Sequence, residues 1–454
     1  MSLLADTELL REVDRRHVWH PFTQMRSWCA EQQLVIAGGE GCELIDTDGN
    51  RYLDGVASLW ANVHGHRHPR LDAAVTEQAG RLSHSTMLGL ANVPATELAG
   101  RLVDLAPERL RKVFYAGDGA CAVEIAVKMA FEYWALRGVE GRHRFLKLDE
   151  AYHGDTIGAV SVGGIDVFHR IFGPLLFDTV AVPTPNAYRR PHDLSVADYE
   201  EAAAGAMESA LAEHASTLAA VVVEPLVQAA AGMLTHPHGY LRRVREACDR
   251  HDVLLIVDEV ATGFGRTGRM LACEAEGVEP DLMTLGKGLT GGYLPLSAVL
   301  TSDRVYEAFL GEPHEGRAFY HGHTYTGNPL AAAVALANLD VFEEEAVLAG
   351  LPPKVELVGQ LLARHVAGAP GVGDVRQEGL MVGVELVADP LIKEPFPPEV
   401  RLGDRICARA VEHGVIVRPL GDVLVLMPPL AMRPDQLERL VEVLGICIRE
   451  ELGS

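Results

Sequence analysis

AAVVVE (219–224) and VLLIVDE (253–259) are runs of aliphatic, largely β-branched residues that lack the polar alternation of a sheet with one wet face. Strands of this kind are buried on both sides, which in a water-soluble chain means a mainly parallel sheet sandwiched between helices. Further runs of the same type recur at VFYA (113–116), RFLKL (144–148), LMTLG (282–286) and SAVL (297–300), with helical patterns between them. The stretch from Arg81 to Ser302 is therefore expected to form an α/β domain around a mostly parallel sheet.

One intervening helix, ACAVEIAVKMAFEYWALR (120–137), follows Gly117-Asp118-Gly119, so its first amides are candidates for holding an anion. Glu124, Lys128 and Glu132 recur four apart along it, opposite an apolar face. Beyond Asn328 a helical stretch, a GLMVGVEL strand, a helix near 401–413, strands VIVRP and VLVLMPP and a helix from about 433 read as a smaller α+β domain. GCELIDTDGNRYLDG, near the N-terminus, has the pattern of a hairpin that completes it. The expected division is 1–80 as an N-terminal segment contributing to the small domain, 81–325 as the large domain and 326–454 as the C-terminal small domain.

Composition excludes several function classes. A net charge of −23 with no basic block argues against a nucleic-acid surface. The most membrane-like window, Thr217 to Leu234, is interrupted by Glu224, Pro225 and Gln228 and reads as a strand and loop, so no membrane association is expected. The N-terminal MSLLADTELLREVDRRHVWH is too charged for a signal peptide. Cysteines 29, 42, 121, 248, 273, 407 and 447 form no CxxC pair and suit reduced thiols in a cytoplasmic protein.

Gly263-x-Gly265-x-x-Gly268 resembles a dinucleotide-binding loop in spacing only. Three residues separate it from the strand-end acids Asp258 and Glu259, and Lys287-Gly288-Leu289 occupies the window where a ribose-binding acid belongs. LGKGLTGG likewise fails as a phosphate loop for ATP, because Gly288 follows the lysine. What remains is a strand-end acid, Asp258, a lysine in a glycine-flanked turn after the next strand, Lys287, and an anion site at an earlier helix start. Pyridoxal phosphate needs these three things: an acid for its ring nitrogen, an amine for a Schiff base and amides for its phosphate.

His64-x-His66-x-His68 has alternate spacing, but Gly65 and Pro69 suggest a turn and no Cys or carboxylate is adjacent, so structural histidines are expected rather than a metal site. Loop packing is likewise expected for His321 and His323. Glu224 and Glu259 do not complete a general-acid pair.

LLIVDEVATGFGRTG followed by LMTLGKGLTGGYLPLSAV resembles the cofactor signature of the class III aminotransferases, enzymes of fold type I with a large seven-stranded, mostly parallel sheet domain and a smaller α+β domain. WHPFTQM (19–25), LWANVHGHRHP (59–69), KMAFEYW (128–134), YHGDTIGAVSV (152–162), HGHTYTGNPLA (321–331) and RPLGDVLVLMPP (418–429) extend the likeness to the biotin-pathway branch of that family, which aminates 8-amino-7-oxononanoate.

The resemblance implies pyridoxal phosphate as cofactor, with Lys287 as its Schiff-base lysine and proton shuttle, Asp258 at the ring nitrogen and Tyr152 stacked on the ring. It implies phosphate contacts from Gly119 and Ala120, with Thr324 reaching in from the second subunit of a homodimer. Gln228 is implied near the ring hydroxyl, and Arg266 near Asp155 in a supporting role. Trp60, Leu59, Phe22, Gly322, His323 and Arg418 are implied on the path of small-molecule substrates, with Arg418 suited to a carboxylate.

The chain departs from the family pattern at Asp118, at Ala229 after Gln228, and at Leu59, Phe22 and His323. S-adenosylmethionine is the implied amino donor; L-lysine is the alternative. Another ω-aminotransferase, an aminomutase and a non-catalytic relative remain as competing readings.

Overall fold

The computed structural model describes residues 6–453. Seven strands form the central sheet in the order Leu110–Ala116, Ser297–Ser302, Leu282–Leu285, Leu254–Asp258, Leu218–Val223, Arg144–Leu148, Thr179–Val182. All neighbours run parallel except Ser297–Ser302, which is antiparallel to both of its partners. The expected mostly parallel sheet is present, and Leu218–Val223 and Leu254–Asp258 at its centre are buried at every position. The four-residue edge strand Thr179–Val182 has too short a pattern to stand out in the sequence.

Helix Gly119–Leu136 crosses one face, with Trp134 and Tyr133 almost wholly enclosed. Asp118 caps it: the carboxylate accepts from the Cys121 amide at 2.9 Å. Helix Pro329–Glu344 is packed on Pro69–Arg81 and Val93–Leu105 on the other side.

Two smaller sheets complete the molecule. Glu43–Asp46 and Arg51–Asp54 form the expected hairpin, which continues into Ile36–Glu40 on one side and joins Val415–Ile416 in parallel on the other. Val372–Glu378, Met381–Leu386, Val423–Leu426 and Arg418–Leu420 form an antiparallel sheet. The single strand expected over VIVRP is thus split at Val417 between two sheets. Pro419, which has no N–H to give, lies in the edge strand of the second, where a missing donor is tolerated.

The window Thr217–Leu234 is a sheet strand and a loop. Among the described residues no single helix is long and apolar enough to cross a membrane, and only the bent pair Pro329–Glu344 with Leu348–His365 passes by composition. Residues 1–5 of the N-terminal stretch read for a signal lie outside the described residues; Thr7–His17 is a helix.

Candidate active site

Tyr152, Glu224, Asp258, Lys287 and the Gly117–Ala120 turn all follow the C-terminal ends of strands that run the same way, so their loops converge at one edge of the sheet. They line a cleft of about 600 Å³, together with Leu59 and Trp60.

Asp258 forms the most fully partnered part of the cleft. Its Oδ1 accepts from Thr284 Oγ1 at 2.8 Å and from the Val260 amide at 3.0 Å, while Oδ2 meets His153 Nδ1 at 2.7 Å. His153 is buried and its Nε2 has no partner. A carboxylate with this many fixed donors keeps its direction without reorganising, as a partner for a cationic ring nitrogen requires.

Lys287 sits in a turn with φ of 43°, in the left-handed region that a lysine rarely enters. Burial pushes its ammonium pKa down, with Arg266 acting in the same direction and Asp258 and Glu224 opposing it. Its Nζ lies 5.0 Å from the centre of the Trp60 ring. Ala57, Ser58 and Trp60 also have positive φ, and the Asp54 carboxylate ties this strained wall down by accepting from the Ser58 amide at 2.8 Å.

Glu224 is a functional-site residue that sequence reasoning set aside. It is buried, accepts from the Tyr152 amide at 3.1 Å and the Ala229 amide at 2.9 Å, and desolvation raises its pKa to about 7. Its signal was a charge ending an otherwise apolar central strand. His153 was missed as well, though it directly follows Tyr152.

Tyr152 donates its hydroxyl to Asp155 at 2.7 Å. Gly119 and Ala120 occupy the first two helical positions, whose amides have no intrahelical acceptor. Gly119 has no room for a side chain, since a Cβ would come within 2.6 Å of Val260 Cγ1. The Asp118 carboxylate is folded back onto Cys121 rather than aimed into the cleft. The residues therefore fit a planar, phosphorylated aldehyde: an amine, a fixed acid, an aromatic wall and open amides share one slot.

Two expected positions have side-chain partners outside the cleft. Gln228 does not line the cleft; its Oε1 accepts from Thr184 Oγ1 at 2.6 Å and its Nε2 donates to the Asp149 carbonyl at 2.8 Å. Pairing of Val227–Gln228 with Leu234–Thr235 commits this side chain to the neighbouring loop, leaving Ala229 and Ala230 at the cleft. Arg266 is not paired with Asp155. The turn Gly263–Gly268 folds back through Phe264 to Met270 and Gly265 to Arg269 bonds, and directs the guanidinium to the carbonyls of Asn62 (2.7 Å) and Pro428 (2.5 Å).

The remaining residues lie outside the cleft. Phe22 and Arg418 line a second, adjoining cavity with Phe168, whose ring meets Tyr152 edge-on at 6.2 Å and Phe22 at 5.3 Å. Gly322, His323 and Thr324 belong to a loop that lines neither cavity. His66 bridges Asp54 and Asn62, His68 meets Glu345, and His64 packs on Phe342, which are structural roles. His413, Cys447 and Glu450 form the one potential metal cluster among the described residues, and the Arg409 guanidinium already lies 3.6 Å from Glu450.

The model of the family described as aminotransferase class-III matches residues 26–448. The adenosylmethionine-8-amino-7-oxononanoate aminotransferase of Nitratidesulfovibrio vulgaris is 54% identical over 96% of this chain and 80% of its own length. The crystal structure of the enzyme of that name from Methanocaldococcus jannaschii matches with a TM-score of 0.93 at 44% identity, over 98% of this chain and 99% of the other. An (S)-enantioselective omega-transaminase from Thermomicrobium roseum gives the same TM-score of 0.93 at 37% identity, with 98% and 99% covered. With a match spanning nearly its whole length, a cleft built to hold a phosphorylated aldehyde, and fold-type I architecture, the chain belongs to the class III aminotransferase family.

Proposed function

We propose that this aminotransferase uses pyridoxal phosphate to convert 8-amino-7-oxononanoate into 7,8-diaminononanoate, the amination step of biotin synthesis, with S-adenosylmethionine as donor. One observation carries the substrate reading. The amine of Lys287 and the guanidinium of Arg418 occupy adjoining cavities, so a substrate carboxylate is bound far from the carbon that reacts. A nine-carbon acid with its ketone at position 7 has that layout. The 54% identity to a relative of that name supports it.

When bound, pyridoxal phosphate supplies an electron sink for the carbon that gains or loses its amino group. Asp258, held by His153 and Thr284, would pair with the ring nitrogen. Lys287 would bind the cofactor and serve as the proton carrier, a role that requires the neutral amine favoured by burial. The amides of Gly119 and Ala120 would hold the phosphate, and Tyr152, its hydroxyl anchored on Asp155, would cover the ring. Arg418 pairs bidentately with the carboxylate, and Trp60, Leu59 and Phe22 flank the carbon chain.

The exposed loop with Gly322, His323 and Thr324 completes the site of a second copy in a homodimer; Tyr320 and Tyr325, both largely exposed, give that loop an apolar surface to bury. The enzyme works in the cytoplasm. The large unit is 81–325, flanked by 1–80 and 326–454. The test is product analysis by mass spectrometry with 8-amino-7-oxononanoate and, separately, S-adenosylmethionine, L-lysine or no donor. Diaminononanoate with S-adenosylmethionine alone supports the full reading, formation with lysine alone replaces the donor, and none with either rejects the substrate.

A further inference from the structure

Lys287 holds a conformation that costs energy, so something must hold it there. The turn that follows it, Lys287–Thr290, has two carbonyls aimed at a single side chain from another part of the fold. Asn338, wholly buried in the middle of helix Pro329–Glu344, donates its Nδ2 to the Gly288 carbonyl at 3.0 Å and to the Leu289 carbonyl at 3.1 Å.

Two carbonyls can only accept, which fixes the amide orientation: the NH2 faces the lysine turn and Oδ1 faces away. Oδ1 has no hydrogen-bond partner and lies against Gly291, where a Cβ would come within 2.8 Å of it. His64 packs on Phe342 of the same helix and interacts with Asn338, and its Nε2 is buried and unpartnered. Burial holds the His64 pKa down to about 4, so the ring is neutral and has one N–H to offer Asn338. His64 is the one member of the 64–68 histidine group with no polar partner elsewhere.

We infer that Asn338 is a positioning residue for the cofactor lysine, with His64 behind it setting the direction of its amide. The contact acts on the backbone of Gly288 and Leu289, and so on where Lys287 Nζ points, without Asn338 entering the cleft. Through this contact, helix Pro329–Glu344 and the 54–66 segment, which carries Trp60, are referenced to one turn. The Val63 amide bonding to the Gly291 carbonyl at 3.4 Å closes the same arrangement. The inference rests on Lys287 being the cofactor lysine, as proposed above.

Asn338→Asp keeps the shape but places an oxygen against the two carbonyls. Asn338→Ala leaves them unpaired. In the cofactor-loaded enzyme, both variants are expected to lower kcat by about tenfold or more while KM for the amine moves less than about threefold. The pH midpoint of the cofactor–lysine absorption band should shift by at least about half a unit. In the apoenzyme, the pH dependence of Lys287 labelling by an amine-reactive ester, followed by peptide mass spectrometry, should change in the same variants.

His64→Leu is expected to reproduce a weaker form of these effects, and His64→Gln, which restores an N–H donor, to recover part of them. A lower melting temperature with kcat, the band midpoint and Lys287 labelling all as in the parent would overturn the inference and leave Asn338 a packing residue. If Asn338 variants do not fold, the His64 pair decides by the same readouts: indistinguishable Leu and Gln variants contradict it. Lys287→Ala separates the two readings, because retention of the cofactor–lysine band in that variant rejects the role of Lys287 itself.

Discussion

The cleft around Asp258 and Lys287 and the cavity beside it are built on different terms. In the cleft, Asp258 has three fixed hydrogen-bond partners, and Glu224 and His153 are buried around it. In the second cavity, Phe22 is 57% exposed, and among the described residues no ion pair holds Arg418. A preorganised cleft serves chemistry that is the same for every amine, whereas an open cavity selects among substrates. The difference teaches that this chain sets its reaction at the strand ends of the sheet and leaves its second cavity to loops.

Substitutions should therefore divide by region. Lys287→Ala has the largest expected effect, a loss of kcat on the order of 10⁴-fold, because both the covalent anchor and the proton carrier disappear. Asp258→Asn should lower kcat by about 10²- to 10³-fold with little change in KM, measured by steady-state kinetics, since it removes charge from a fixed position. An effect on KM alone would move Asp258 to the binding side of the comparison.

Glu224 gives a stability test of the same cleft. Its folded pKa of about 7 lies above that of an exposed glutamate, so the folded state holds the proton more tightly than the unfolded chain. The sign follows: this contribution is fully present below about pH 4.5 and is lost as pH rises through about 7, up to about 3 kcal/mol in all. Glu224→Gln should flatten the decline in apoenzyme stability between pH 5 and pH 8 in denaturant titrations; an unchanged slope would mean the charge is compensated within the cleft.

On the substrate side, Arg418→Ala should raise KM for 8-amino-7-oxononanoate by about 10- to 100-fold with kcat nearly unchanged, as expected for a charge-assisted contact remote from the reacting carbon. Thr324→Ala should weaken cofactor binding by about tenfold, read by titrating the apoenzyme with pyridoxal phosphate and following fluorescence. The same affinity in parent and variant would remove the second copy from the phosphate site.

The division also governs how much was legible from sequence. The strands and the Asp258–Lys287 pair could be read because consecutive buried strands and the residues that end them are local patterns. Glu224 and His153 could not be assigned, because their role arises only when parallel neighbours bring several strand ends to one edge. The side-chain partners of Gln228 and Arg266 were not legible for a related reason. Presence in a motif says nothing of direction, and one is turned to Thr184 and Asp149 while the other spans Asn62 and Pro428. Asp118 departs from the family pattern, and only its capping bond to the Cys121 amide shows where its carboxylate is directed. The split of VIVRP at Val417 depends on two sheets that lie far apart in sequence.

Mixing the cofactor-loaded protein with 7,8-diaminononanoate, with no acceptor present, isolates the cleft and cavity from the donor question. Loss of the cofactor–lysine absorption band together with one equivalent of 8-amino-7-oxononanoate per site is the expected result. An unchanged band with that diamine, while other ω-amines bleach it, would contradict the proposed substrate and leave a class III aminotransferase with a different one.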